Sequence, residues 1–527
     1  MEILDDIRIW ASDISDNSAR VLWLTGIPGA GKSAVTASFA RELNDVGCLW
    51  AQFFISHNQA NTIDPAHLFP SIARQLADHC HDVADHLYNA LKTKRSLVDY
   101  IGSEQAQQLF VAALQVASSL SPSQPIVVVV DALDEIEATQ LAKTAKILAQ
   151  ATAGLPHNAK VLISSRTENI ISAAFNERHV KRIHLDTSDP SSARDVKLVL
   201  YNGLQAIVED YQLERATWPE DEILQALCDQ AAGLFIWATT ALAFLHVQIQ
   251  RDGEECLDDV LIQLTAEGMK DIDMLYQGIL QTAFQQQDDS WAWEKFRRIV
   301  GTIVILREPL RLSALAELLD LQKPGTTKRI DLYRFVRRLR PVLMVGAEPT
   351  IDENAVPRLH KSFFEFITSD RVHDHWRIIK SDAEKNLVLA CFRVMKTGLH
   401  FNICQLETSH LRNVDVYDLD ARVNKAILPH LSYACRFWAE HLRRTTCEVQ
   451  ILREVHDFMY IRFLNWLEVL SLINQLNIAT RVLSFVGKWT EVSCYVARFY
   501  LIKALTRITF STKMTLSHYL QMMPTSL

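Results

Sequence analysis

The chain has 527 residues, 49% of them apolar and 22% charged, so it is a folded globular protein too long for one hydrophobic core and divides into roughly three or four domains. A net charge of −8 excludes recruitment of nucleic acid or anionic membrane by global electrostatics, leaving only a local basic patch for such a role. The nine cysteines are scattered without a Cys-x-x-Cys pair, the acidic N-terminus lacks a leader pattern, and no apolar run approaches the ~18 residues of a membrane span; reduced thiols in a cytoplasmic protein are expected.

In chain order, a short leading helix is expected within 1–18. Residues 21–24 read as a buried strand, followed by a glycine-rich loop and a helix over about 32–43. Residues 49–55 form a second strand, and helical segments follow over 65–91 and 104–120. The run 126–130, between Pro125 and Asp131, is a third strand; 161–164 and Val180–Leu185 are a fourth and fifth. Short β-branched runs alternating with helices specify an α/β domain over 19–185, a parallel sheet with helices on both faces.

Beyond Asp186 nearly everything reads as helix. Asp189-Pro190 is a good helix start for a segment reaching Tyr211. Further helices near 220–230, 235–250 and 271–287 complete a helical subdomain over 186–288. Three compact helices, at 291–306, 313–319 and 331–339, precede strand-like runs at 341–345 and 355–359. That pattern suggests a winged-helix-like domain over 289–370. An all-α region over 371–527 carries apolar residues at helical spacing, as in Leu431, Ala434, Trp438 and Leu442.

The glycine loop carries the chemistry. Gly26-Ile27-Pro28-Gly29-Ala30-Gly31-Lys32-Ser33 has P-loop spacing. Consecutive N–H groups must wrap a polyphosphate, and side chains at the glycines would obstruct that approach. The helix that follows, beginning with Ala34, presents its positive end to the anion. Lys32 can reach phosphate oxygens and Ser33 can place its hydroxyl on Mg2+. The competing reading, a chance glycine turn, does not account for an apolar strand before the loop and a helix after it.

A second element ends the third strand with Asp131-Ala132-Leu133-Asp134-Glu135. Asp131 is placed to hold the metal, and Asp134 or Glu135 to polarise an attacking water. An acidic helix start after a strand is the alternative. In Ser164-Ser165-Arg166, Arg166 either senses the terminal phosphate or makes a structural salt bridge.

These elements, in the tight matches from Trp23 to Ser33, from Asp131 to Glu135 and from Leu162 to Arg166, resemble the NACHT group of STAND signalling ATPases, in particular fungal NLR-like proteins carrying WD40 or ankyrin repeats. Looser matches follow from Ala231 to Ala238, Leu359 to Phe366, Leu428 to Trp438 and Phe463 to Ser471. The resemblance implies a switch in which ADP holds the domains together, and ATP with Mg2+ opens them and allows self-oligomerisation. It also implies slow hydrolysis in innate-immunity or incompatibility-type signalling. On it His360 contacts the ADP phosphate; the alternative is a histidine packed at a strand–helix junction. Phe235 stands where related ATPases carry proline, so the adenine contact does not transfer. The family's usual effector domain and repeat array are not visible, which suggests a core-only form or a truncated sequence.

Other constellations carry less. His79-Cys80-His81 with His86 falls on one expected helix, over 74–91, with residues 79 and 81 on different faces, and reads as solvated surface. The basic run Lys328, Arg329, Arg334, Arg337, Arg338 and Arg340 is interleaved with Tyr333, Val336 and Leu339, and reads as a solvated face rather than a DNA-reading helix. Tryptophans 237, 291, 293, 438 and 466 sit in apolar helical contexts and are expected in cores. The alternatives to a switch are a non-enzymatic nucleotide-bound scaffold and a winged-helix DNA-binding regulator.

Overall fold

The run Ile126–Asp131, apolar up to Val130, is buried along its whole length, as a strand covered on both faces of a parallel sheet must be. In the computed structural model, which describes residues 2–56, 62, 64–99, 101–177, 179–213, 219–266, 269–284, 290–321, 331–344, 354–408 and 410–493, this strand is the third of five. The strands are β1 (Val21–Gly26), β2 (Leu49–Phe54), β3 (Ile126–Asp131), β4 (Ala159–Ser165) and β5 (Val180–Leu185). All pair in parallel, in the order β2-β3-β4-β1-β5. Alternate residues face opposite sides: Val21, Trp23, Val128, Val130, Val161 and Ile163 enter one core, and Leu22, Leu24, Val127, Val129 and Leu162 the other. The second core takes Phe39, Ala40 and Leu43 from the Lys32–Asp45 helix and Ile7 and Trp10 from the Glu2–Ser12 helix. This is the α/β fold with helices on both faces that the sequence pattern specifies.

The chain forms two compact units, one of Met1–Ala283, Arg338–Val342 and His360–Phe363, the other of Phe284–Arg337, Leu343–Leu359 and Phe364–Leu527. In the first unit, helix Pro190–Tyr211 opens with Asp189, whose carboxylate accepts from the Ser191 N–H at 2.7 Å, as Asp-Pro predicts. Helices Asp221–Ala231, Phe235–Asp252 and Ile272–Phe284 follow at their expected places. Three helices of this unit were not anticipated: Ala138–Ala153, Asn169–Ala174 and Leu257–Thr265, the last burying Leu257, Val260, Leu261 and Leu264. The expected single helix through 79–81 is also corrected. It breaks at Cys80, which is extended (φ −151, ψ 127), so His79 ends one helix and His81 begins the next.

The second unit contains helices Ser290–Ile305, Leu312–Leu319 and Leu332–Arg338, then the antiparallel pair β6 (Leu343–Met344) and β7 (Arg358–Leu359). Lys328, Arg329 and the tip between these strands lie outside the described residues. Leu332, Phe335 and Val336 bury one face of their helix, whereas Arg334 and Arg337 are exposed. Helices Lys380–Gly398 and Pro429–Leu442 pair closely around Trp438, which with Leu431, Ala434 and Leu442 is buried as the spacing requires. Trp237 of the first unit and Trp466 are likewise buried; the Trp291 side chain and the expected helices past 493 lie outside the described residues. A polar network runs through this unit's interior: Arg307 Nη2 to Glu384 Oε1 at 2.8 Å, Glu384 Oε2 to His441 Nδ1 at 2.6 Å, and His441 Nε2 to the Tyr433 hydroxyl at 2.8 Å. No helix among the described residues is long and apolar enough to cross a membrane.

Candidate phosphate-binding site

The loop after β1 turns through two left-handed glycines, Gly29 (φ 78) and Gly31 (φ 92), conformations that L side chains rarely adopt. A Cβ at Gly29 would fall 2.1 Å from Ile236 Cγ2, and one at Gly31 3.1 Å from the Phe235 ring. The start of helix Phe235–Asp252 is therefore seated on the loop, and the Ile236 N–H donates to the Gly29 carbonyl at 3.3 Å. Ile27 is exposed, Pro28 half-buried and Ala30 buried, and Ser33 and Ala34 are exposed on the first turn of helix Lys32–Asp45. The Lys32 amine donates to the carbonyls of Gly26 and Ile27, each at 2.9 Å. Burial pushes its pKa down to about 8, against the pull of Asp134 and Asp131.

Because β4 lies between β1 and β3, the ends of β3 and β4 come up beside the loop, where ligands bind in open α/β sheets. Asp131, at the end of β3, is 3% exposed. Burial raises its pKa, while hydrogen bonds from Ser164, Ser33 and Thr36 favour the carboxylate. Ser164 Oγ donates to Asp131 and accepts from the Ala132 N–H at 2.9 Å. Ala132 itself is left-handed (φ 58), a strained position for a residue with a Cβ.

Asp134 and Glu135, assigned together to water activation on sequence grounds, differ in their surroundings. Asp134 is 9% exposed and already engaged. Its Oδ1 accepts from the Arg166 N–H at 3.1 Å, and its Oδ2 lies 3.2 Å from Arg166 Nε and 2.6 Å from Lys361 Nζ. Burial would raise its pKa, but the charges and hydrogen bonds of Lys361 and Arg166 outweigh that and lower it. A carboxylate so held is a poor base. Glu135 lies half-buried at the end of the same turn, its N–H donating to the Ala132 carbonyl at 2.8 Å. Arg166 thus makes the structural pairing that the sequence left as an alternative to phosphate sensing.

Lys361 was not anticipated, although it lies in the Leu359–Phe366 motif. It comes from the His360–Phe363 segment, which belongs to the same unit as the sheet. His360 precedes helix Lys361–Thr368 directly after β7, and its Nδ1 accepts from the Ser362 N–H at 3.2 Å. Ser362 Oγ meets the Tyr276 hydroxyl at 2.7 Å, and Phe363 packs edge-on against the Tyr276 ring at 5.1 Å.

Residues 3–166 match the family model described as Nephrocystin 3, N-terminal. The chain is also 21% identical over 491 residues to the vegetative incompatibility protein HET-E-1 of Podospora anserina. Both matches agree with the resemblance to NACHT-type, fungal NLR-like proteins. The HET-E-1 match covers 87% of this chain, which spans 34% of that relative's length. Among solved structures, the Walker-type ATPase PABY2304 of Pyrococcus abyssi matches at 12% identity and a TM-score of 0.34, over 69% of this chain and 94% of its own. The Drosophila ORC bound to DNA matches at 12% identity and a TM-score of 0.26, over 68% and 91%. Likenesses this loose carry no inference about the chain's function; its parallel sheet and glycine loop stand on their own geometry.

Proposed function

We propose that the chain is an ATP/ADP-binding signalling switch with slow, Mg2+-dependent hydrolysis that gates rearrangement and self-oligomerisation, in incompatibility- or immunity-type signalling. The observation that carries this reading is the convergence of the Gly26–Ser33 loop, Asp131 and the Asp134–Arg166 pair at one end of the sheet. The loop and the N-terminus of helix Lys32–Asp45 would hold the phosphates, with Lys32 bonding them in place of its own loop carbonyls. Ser33 and Asp131, already hydrogen-bonded to each other, are the hard oxygen donors magnesium requires. When bound, the ion would neutralise charge on the phosphate oxygens.

Glu135 is the acid best placed to orient and deprotonate an attacking water, because Asp134 is committed to two cations. Arg166 would reach a terminal phosphate only by giving up part of its hold on Asp134. His360 remains the proposed contact to ADP, and the three helices with β6 and β7 the proposed winged helix. A cytoplasmic location is proposed with this role.

The test is single-turnover hydrolysis of bound ATP with Mg2+. Slow cleavage in the wild type, lost in Glu135→Gln while binding is kept, supports the switch. No cleavage in the wild type would reduce the site to a nucleotide-bound scaffold.

A further inference from the structure

The turn that follows β3 is short and carries a strained residue. Ala132 sits at positive φ, and only three residues, Leu133–Glu135, form the short helical turn after it. Beside its own Glu135 N–H to Ala132 carbonyl bond at 2.8 Å, it has three outside anchors. Ser164 Oγ takes the Ala132 N–H, and Arg166 takes Asp134 through both its backbone N–H and its guanidinium. Ser164 lies in β4 and Arg166 directly follows its last residue. The third anchor is Lys361, which grips Asp134 by the side chain, at 2.6 Å, and by the backbone carbonyl, at 3.1 Å. It lies 227 residues further along the chain, and its segment is itself held by Ser362 and Phe363 on Tyr276. Asp134 is shielded from water, its side chain 4% exposed, so its partners act in a weakly screening environment.

We propose that Lys361 is a positioning residue that pins the acidic turn through Asp134, so that the His360–Phe363 segment sets the rates at which nucleotide leaves the site and is hydrolysed. The proposal rests on the switch reading above. With Lys361 in place, Asp134 is held from two sides and the turn presents Asp131 and Glu135 at fixed positions. Any rearrangement that withdraws residues 360–363 must break this pair, leave Asp134 to Arg166 alone, and loosen the turn next to the phosphate loop. The signal to the site is then the loss of one ion pair rather than a change in the P-loop.

A simpler alternative makes a distinct forecast. If Lys361 were only one more positive charge near the phosphates, Lys361→Met would speed nucleotide release, Asp134→Asn would slow it, and the two effects would be independent. If Lys361 acts through Asp134, both substitutions speed release, and the double variant is no faster than either single one.

The experiment measures displacement of a fluorescent ADP analogue from the full chain, and single-turnover ATP hydrolysis, in wild type, Lys361→Met, Asp134→Asn and the double variant. The expected result is release accelerated about tenfold in each single variant, with no further gain in the double, as for residues sharing one buried interaction. Lys361→Arg, which keeps the cation, should restore slow release. Tyr276→Phe, which removes the Ser362 anchor without altering charge, supplies the same readout should Lys361→Met fail to fold, and should accelerate release several-fold. Unchanged release in Lys361→Met and Tyr276→Phe, or multiplying effects in the double variant, would overturn the proposal. If instead the wild type binds no nucleotide at all, it is the switch reading that falls.

Discussion

Gly233→Ala should damage both stability and nucleotide retention, and Gly47→Ala should show how much of the damage is backbone strain alone. The two glycines have nearly the same conformation, φ 77 and φ 71. Around Gly47 a new Cβ meets nothing within 4 Å, so alanine there bears only the left-handed cost, roughly 1–2 kcal/mol. At Gly233 the Cβ would fall 2.1 Å from the carbonyl oxygen of Thr187, a backbone atom that no rotamer change can move. Overpacking adds about 1–3 kcal/mol to the same strain, for a total of about 2–5 kcal/mol. At about 2–4 °C per kcal/mol for a domain of this size, Gly47→Ala should lower Tm by a few degrees and Gly233→Ala by about 4–20 °C. Gly233 also leads into Phe235 and Ile236, which lie against Gly31 and Gly29, so only its substitution should speed loss of bound nucleotide. Differential scanning fluorimetry with and without ADP measures both effects. Equal losses in the two variants would refute the argument from close approach.

Two further outcomes are expected. With the Lys32 pKa at about 8, its amine is charged below that pH and neutral above it in the protein as described, while a bound polyphosphate favours the charged form. Nucleotide affinity should therefore hold up to about pH 8 and then fall by up to about tenfold per unit, a slope that titration calorimetry at pH 7 to 9.5 can check. In the second unit, Glu384→Gln removes the carboxylate between Arg307 and His441 and leaves the buried guanidinium only the longer, solvent-exposed pairing with Glu440 at 3.6 Å. A loss of about 3–5 kcal/mol in chemical denaturation is expected, against near-neutrality if the pair were solvated.

The elements that were legible in the sequence are those whose cause is local. Ile126–Val130, bounded by Pro125 and Asp131, reads as a doubly covered strand, and glycines at fixed spacing between a strand and a helix read as a phosphate loop. Leu257–Thr265 also has a local cause, since Leu257, Val260, Leu261 and Leu264 follow helical spacing among acidic neighbours. The break at Cys80 has no glycine or proline to announce it; packing in the fold decides it. Within the site, Asp131 and Ser33 were readable from their motifs. The different surroundings of Asp134 and Glu135 were not, because they depend on Lys361, a lysine 227 residues away in sequence. Nothing in a local pattern of charges reveals which acid a distant cation will occupy.

The central claim is that the Gly26–Ser33 loop holds a nucleotide, and the most direct measurement is the nucleotide that stays with the protein through purification. Wild type should retain ADP or ATP in stoichiometric amount, and Lys32→Ala, which removes the amine now bonded to the loop carbonyls, should retain almost none while remaining folded. Equal nucleotide content in the two proteins, or none in either, would contradict the account.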